Sequence, residues 1–168
     1  NSIFQPLVGA TTDGGANWEF HAFYFDKNEG GCTDVRFLDV NIGVVSGFVF
    51  DGRGAIARTT DGGINWSTLF FDQPIEGVDF PVTNTTNFGF AVGWGGRILH
   101  TTNMGIAWTD QTSGTSANLN DVSFANDALR GIAVGDNGTI LWTANGGGPG
   151  PTPTPTPTAS QTPSATPT

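Results

Sequence analysis

The chain is poor in the residues that most enzymes and nucleic-acid binders rely on. Its 168 residues include one cysteine, Cys32, so no disulfide can form within it. Cys32 is expected to be either an inert buried thiol or a partner for something outside the chain. Six basic residues face fifteen acidic ones, for a net charge of -9. That balance excludes binding to nucleic acid, because phosphate contacts need a basic face, and disfavours an anionic membrane surface. Tyr24 is the one tyrosine, and the two histidines, His21 and His100, have no neighbouring cluster that suggests metal ligation. No apolar run approaches the roughly 18 residues of a membrane span, so no insertion is expected. No cofactor motif is present, and none is expected to be needed.

What the chain does have is glycine, phenylalanine and a repeat. The 25 glycines and 13 phenylalanines, with only 12% charged residues, suit short strands joined by tight turns. One turn motif recurs four times: Thr11-Thr12-Asp13-Gly14-Gly15-Ala16-Asn17-Trp18, Thr59-Thr60-Asp61-Gly62-Gly63-Ile64-Asn65-Trp66, Thr101-Thr102-Asn103-Met104-Gly105-Ile106-Ala107-Trp108, and the shorter Thr143-Ala144-Asn145-Gly146-Gly147. A spacing of a little over 40 residues signals an array of similar supersecondary units.

Aligned on these turns, each unit shows strand-like segments. Val35-Arg36-Phe37 matches Val78-Asp79-Phe80 and Val122-Ser123-Phe124, with Val and Phe on one face. Gly43–Gly47 matches Gly89–Gly93 and Gly131–Gly135, while Ala55–Thr59 matches Arg97–Thr101 and Thr139–Thr143. Between second and third segments lie Asp51-Gly52, Trp94-Gly95-Gly96 and Asp136-Asn137-Gly138, which supply the positive φ that tight hairpins require. A fourth strand starts at the motif tryptophan. The reading is an all-β chain of four-stranded antiparallel propeller blades, about three of them, forming part of a larger propeller over residues 1–148.

In the repeated turn, Asp13 and Asp61 are expected to accept from backbone N–H groups two or three residues on, with Asn103 and Asn145 supplying the same oxygen uncharged. Gly15, Gly63, Gly105 and Gly147 suit left-handed backbone. Thr11, Thr59, Thr101 and Thr143 add a hydroxyl, and Trp18, Trp66 and Trp108 offer apolar faces for burial. This pattern, T-x-[DN]-x-G-x-x-W, is the Asp-box. Amide in two of the four copies argues for a structural turn over a general acid or calcium ligand.

The wider repeat resembles the propeller of photosystem II stability/assembly factors, through Leu119-Asn120-Asp121-Val122-Ser123-Phe124 and Gly131-Ile132-Ala133-Val134-Gly135-Asp136-Asn137-Gly138-Thr139-Ile140-Leu141. The resemblance implies a non-enzymatic scaffold that binds a protein partner during assembly of a membrane complex. The segment 149–168 departs from that pattern. From Pro151 on it holds only Pro, Thr, Ala, Ser and one Gln, the composition of a disordered linker or stalk. Such stalks suit exported proteins, so the expected location is the cell surface or outside, the periplasm or a thylakoid lumen being the alternative. The chain is also expected to be part of a longer polypeptide.

In an up-and-down blade the Asp-box shares one end with the first-to-second turns. The opposite end, with the second-to-third turns and the inter-blade loops, is the expected binding face. Phe48, Arg53, Trp94 and Arg97 fall there and combine aromatics with arginine, as protein-binding hot spots do. The enzymatic alternative is a sialidase-like or xyloglucan-hydrolase-like glycosidase, since both also carry Asp-boxes. A sialidase needs an arginine cluster and a tyrosine nucleophile, and no Arg-Ile-Pro signature is present. A two-carboxylate glycosidase needs a facing pair, and no spacing nominates one among Asp39, Asp72, Asp79 and Asp127.

Overall fold

The computed structural model describes residues 7–25, 30–81, 87–126 and 129–146. Gly147, Asp127 and the segment 149–168 lie outside the described residues. Among the described residues thirteen strands form four antiparallel sheets. A two-stranded sheet, β1 (Leu7–Ala10) with β2 (Glu19–Ala22), comes first. Two complete four-stranded blades follow. One is β3 (Gly30–Phe37), β4 (Gly43–Val49), β5 (Gly54–Thr59) and β6 (Ser67–Phe71). The other is β7 (Ile75–Asp79), β8 (Gly89–Gly93), β9 (Ile98–Thr101) and β10 (Thr109–Gln111). The last sheet has three strands, β11 (Leu119–Phe124), β12 (Gly131–Gly135) and β13 (Thr139–Thr143). The expected three blades of strand are therefore distributed as two whole blades between two incomplete ones, a partial propeller.

The repeat is reproduced residue by residue. Each first strand carries an irregularity at the same place, between Cys32 and Asp34, Ile75 and Gly77, and Leu119 and Asp121. In each of the three blades that begin with a described first strand, a phenylalanine at the end of that strand, or directly after it in β7, covers the glycine opening the second strand. A Cβ added at Gly43, Gly89 or Gly131 would lie 2.7, 2.3 or 2.5 Å from the ring of Phe37, Phe80 or Phe124. Those glycines are required by packing.

The core lies between blades. Val44 and Ile56 of the first blade meet Ile75, Val78, Phe80, Ala91 and Leu99 of the second. Phe90 and Val92 meet Leu119, Val122, Ala133 and Leu141 in the same way, with the Phe90 and Phe124 rings stacked 3.7 Å apart. At about 1.5–3 kcal/mol per fully buried large apolar side chain, these seams supply most of what holds the arc together. Polar links reinforce them: the Val78 N–H donates to Asp34 Oδ2 (2.9 Å) and the Phe124 N–H to Asp79 Oδ2 (2.7 Å). Asp79 is buried and also accepts from Arg36, whose Nε is 3.0 Å away.

The shared face is covered unevenly, and one burial expectation needs correction. Val35 and Phe37 are exposed while their counterparts Val78 and Phe80 are buried, because among the described residues the sheet before β3 has only two strands. Cys32 is exposed as a residue on β3 rather than buried. Packing around its sulfur still pushes the thiol up to about 11, so it stays protonated at neutral pH.

Candidate functional site

The two ends of the blades are chemically different. At one end, each repeated turn is tied to the first-to-second turn of its own blade by a backbone hydrogen bond: Gly62 N–H to Asn41 O, Met104 N–H to Asn87 O and Gly146 N–H to Leu129 O (2.9, 2.8 and 2.7 Å). Within the turn the threonine hydroxyl does two jobs. Thr59 Oγ1 donates to Asp61 Oδ1 (2.8 Å) and accepts from the Gly63 N–H (2.9 Å). Thr11 with Asp13 and Gly15, and Thr101 with Asn103 and Gly105, repeat this. Thr143 Oγ1 donates to Asn145 Oδ1.

The acid or amide oxygen accepts chiefly from the N–H four residues on, at Asn17, Asn65 and Ala107, one further than expected, with the N–H three on, at Ala16 and Ile64, a lesser contributor at the two aspartates. The chain must complete a full loop before it returns to the side chain, and that loop uses the positive φ of Gly15 (93°), Gly63 (97°) and Gly105 (80°). Hydrogen bonds from Asn17 and Asn65, backbone first and then side chain, hold Asp13 and Asp61 down to about 2. Trp66 packs on Phe23 and Trp108 on Phe80. Trp18 is 55% exposed, with no aromatic partner of this kind among the described residues.

The other end gathers the second-to-third turns and the inter-blade loops. The Trp94 N–H bonds Pro74 O, and Asp136 N–H bonds Asn118 O, so each turn is pinned to the loop entering its blade. Trp94 and Arg97 line an open cavity of about 520 Å³ with Asp72, Gln73, Asp110 and the loop 111–116. Trp94 is half exposed, and its Nε1 donates to Glu76 Oε1 (2.7 Å). Arg97 bridges Asp72 and, through Nε, Asp110 Oδ1 (2.9 Å), above the Phe71 ring.

Arg53 occupies the equivalent turn of the preceding blade and Phe48 the end of β4 leading into it; neither lines that cavity. Arg53 pairs with Asp51 Oδ2 (2.7 Å), with its guanidinium 4.4 Å above the Phe70 ring. Phe48 is half buried, its ring lying over Gly31 and tilted against Phe50. The four expected residues thus form two turn sites on adjacent blades, and both arginines are held in place by carboxylates and aromatic rings. Sequence reasoning missed Glu76 and Asp110, and weighed Asp72 only as a possible catalytic acid; the three orient Trp94 and Arg97. Asp72 directly follows the last residue of β6, and Asp110 is the middle residue of β10.

The residues weighed for catalysis are otherwise engaged. Asp39 caps its own turn, accepting from Asn41 and Ile42 N–H (2.7 Å each), which lowers its carboxyl below the ordinary range. Asp79 is buried with Arg36, and Asp72 is paired with Arg97. His100 stacks on Phe88 and Phe90, and burial lowers its imidazole. Among the described residues no group of three His, Cys, Asp or Glu could hold a metal ion, and no helix is long and apolar enough to cross a membrane.

No protein-family model matches the chain. The photosystem II assembly lipoprotein Ycf48 of Synechococcus sp. (strain CC9902) is 27% identical over 77 residues, 46% of this chain and 22% of that protein. The solved structure of Ycf48 bound to a D1 peptide matches with a TM-score of 0.58 at 22% identity, covering 73% of this chain and 39% of that one. Ycf48 from Cyanidioschyzon merolae matches with a TM-score of 0.58 at 21% identity, covering 77% and 38%. The chain spans well under half the length of these relatives, and over that part it shares the β-propeller fold of Ycf48.

Proposed function

We propose that this chain is a non-catalytic interaction module, an arc of an Asp-box propeller that binds a protein partner through the end opposite its repeated turns. The observation that carries this reading is the cavity at Trp94 and Arg97, where a half-exposed indole is fixed by Glu76 beside an arginine fixed by two carboxylates. Fixed aromatic and arginine side chains lose little entropy on binding, which is what anchors of protein interfaces need. The likeness to Ycf48, one structure of which holds a D1 peptide, supports a peptide or protein as ligand and a role in assembly rather than turnover. Phe48 and Arg53 extend the same surface onto the preceding blade.

The Pro/Thr composition of 151–168 supports an exported or surface-held protein, with the propeller carried on a spacer. A photosynthetic role would place it in a lumen or periplasm instead. The glycosidase reading gains no support, because Asp39, Asp72 and Asp79 are each committed to turn caps or arginines.

The test is capture of a partner from the envelope fraction of the source organism by the wild-type chain and by an Arg53→Ala/Arg97→Ala double variant. Capture by the wild type alone, with the variant still folded, supports the assignment. Equal capture by both removes the site, and turnover of a sialoside or β-glucan by the protein overturns the non-catalytic reading.

A further inference from the structure

The cavity at Trp94 is built by the two whole blades and by the loop 111–116 that leaves the second, so its walls lie in the middle of the arc. Its shape is set by backbone. Gly96 takes a φ of 77°, and a Cβ there would lie 2.1 Å from Thr115 O, so glycine is what lets the turn close on the loop. The Trp94 N–H bonds Pro74 O and pins the same turn to the loop entering the blade. At about 520 Å³ the opening lies within the roughly 300–1,000 Å³ of ligand pockets.

Three side chains decide what fits. The indole of Trp94 has spent its donor on Glu76 Oε1, which leaves its half-exposed ring faces as what it offers. Asp72 and Asp110 each give Oδ1 to Arg97, and their Oδ2 atoms have no partner among the described residues. Both carboxylates are largely exposed, whereas the arginine they hold is 20% exposed, so a ligand meets the acids before the base. The three carboxylates of Asp72, Asp110 and Glu76 against the one guanidinium of Arg97 leave two negative charges unmatched. In the equivalent turn of the preceding blade, Asp51 and Arg53 pair one to one. An aromatic face beside unspent carboxylate oxygens favours a cation on an apolar stem and disfavours an anion.

We infer that the cavity takes a basic side chain, arginine or lysine, of the partner protein, its cation held between Trp94 and the free oxygens of Asp72 and Asp110. This rests on the reading of the cavity as a peptide site and names the partner's chemistry. Arg97 is a positioning residue, fixing the two carboxylates that receive the cation.

The experiment is titration of the isotopically labelled 168-residue chain with a short end-capped peptide of alternating glycine and arginine. It is followed at the indole N–H signal of Trp94, which a Trp94→Phe variant identifies. Twin peptides carry glutamine or glutamate in place of arginine. The signal should move and saturate with the arginine peptide alone. Affinity should fall as salt rises from about 0.01 to about 0.15 M, where the screening length shortens from about 30 to about 8 Å. Asp72→Asn/Asp110→Asn keeps an acceptor for Arg97 and should weaken binding about five- to tenfold. Asp72→Asn alone, outside any strand, should weaken it about two- to fivefold if the double variant does not fold. Asp13→Asn/Asp61→Asn removes two charges from the opposite end and should leave binding unchanged. An equal loss in both double variants would reduce the effect to bulk charge and overturn the inference. A glutamine or glutamate peptide that binds as well would overturn it while leaving the cavity a peptide site. A Trp94 signal that answers none of the three peptides would also overturn it, and partner capture alone would then decide the wider reading.

Discussion

At the end that carries the repeated turns, three copies of one motif share a set of threonine and acid or amide hydrogen bonds to within 0.2 Å, for example 2.9, 2.9 and 3.1 Å from the glycine N–H to the threonine hydroxyl. At the other end the turns at Trp94-Gly95-Gly96 and Asp136-Asn137-Gly138 share a backbone shape, but the side chains of Asp51-Gly52-Arg53, Trp94-Gly95-Gly96-Arg97 and Asp136-Asn137-Gly138 pair with different neighbours. Uniformity is what a structural device shows when it must close every blade. Divergence on a shared frame is what a recognition surface shows, since a ligand meets each blade at a different place. The comparison makes a physical claim. Substitutions at the repeated end should cost stability, and substitutions at the divergent end should cost binding.

The largest effect should come from the buried hydroxyl of the repeated turn. Thr101 is 1% exposed, and its oxygen satisfies the N–H of buried Gly105. Thr101→Val keeps the shape and orphans that N–H, at a cost of about 1–3 kcal/mol in denaturant unfolding. Thr59→Val should behave alike, since Gly63 is buried too. Thr11→Val should cost less than about 1 kcal/mol, because water reaches the orphaned group at the exposed start of the arc. An equal loss at all three positions would mean that burial is not what gives the turn its value.

The repeated end was legible from sequence because it is local: every hydrogen bond in the turn joins residues no more than four apart. So were the glycines of the second-to-third turns, where Gly52, Gly95 and Gly138 all have positive φ. What the sequence could not show is whatever depends on folding the repeat into an arc. Arg97 finds Asp72 and Asp110 at 25 and 13 residues' distance, and Arg36 finds Asp79 at 43. Trp18 and Trp66 read identically, yet one is exposed and the other packs on Phe23, a contact made by a segment 43 residues before it. Phe48, Arg53, Trp94 and Arg97 could be assigned to the right end by strand order alone. Their division between two sites, and the carboxylates that orient them, required coordinates.

Acid offers a sharper cut within the repeated end. Asp13 and Asp61 are held near 2, chiefly by the N–H groups of Asn17 and Asn65, against an ordinary 3.8, whereas Asn103 and Asn145 do not titrate. A lowered folded-state value means that the ionised form is the one the fold favours. This contribution is complete above about 4 and fades as pH falls towards 2. Denaturant midpoints should therefore drop between pH 4 and pH 2, and the drop should be shallower in an Asp13→Asn/Asp61→Asn variant. Asp61→Ala should lose stability at neutral pH where Asp61→Asn largely keeps it, since the amide retains the acceptor. A double-Asn variant as acid-sensitive as wild type would show that other carboxylates control the acid limb.

The smallest stability effect is expected at the divergent end, and there it is the informative one. Arg97 is tied to Asp72 and Asp110, but those carboxylates are 76% and 67% exposed, so water and salt replace much of what the arginine gives them. Arg97→Gln shortens the side chain and removes the guanidinium above Phe71 but keeps a polar end, and should change unfolding by less than about 1 kcal/mol. Trp94 is half solvated, and its removal should likewise leave the seam residues Phe90 and Leu99 packed. Both variants should nonetheless lose captured partner, because fixing an indole and a guanidinium beside one open cavity brings the fold little and a ligand much. If Arg97→Gln instead unfolds the chain as readily as Thr101→Val, the bridge between Asp72 and Asp110 is a structural clasp between β6 and β10. The divergence among the second-to-third turns would then record three solutions to closing a blade rather than a surface shaped for recognition.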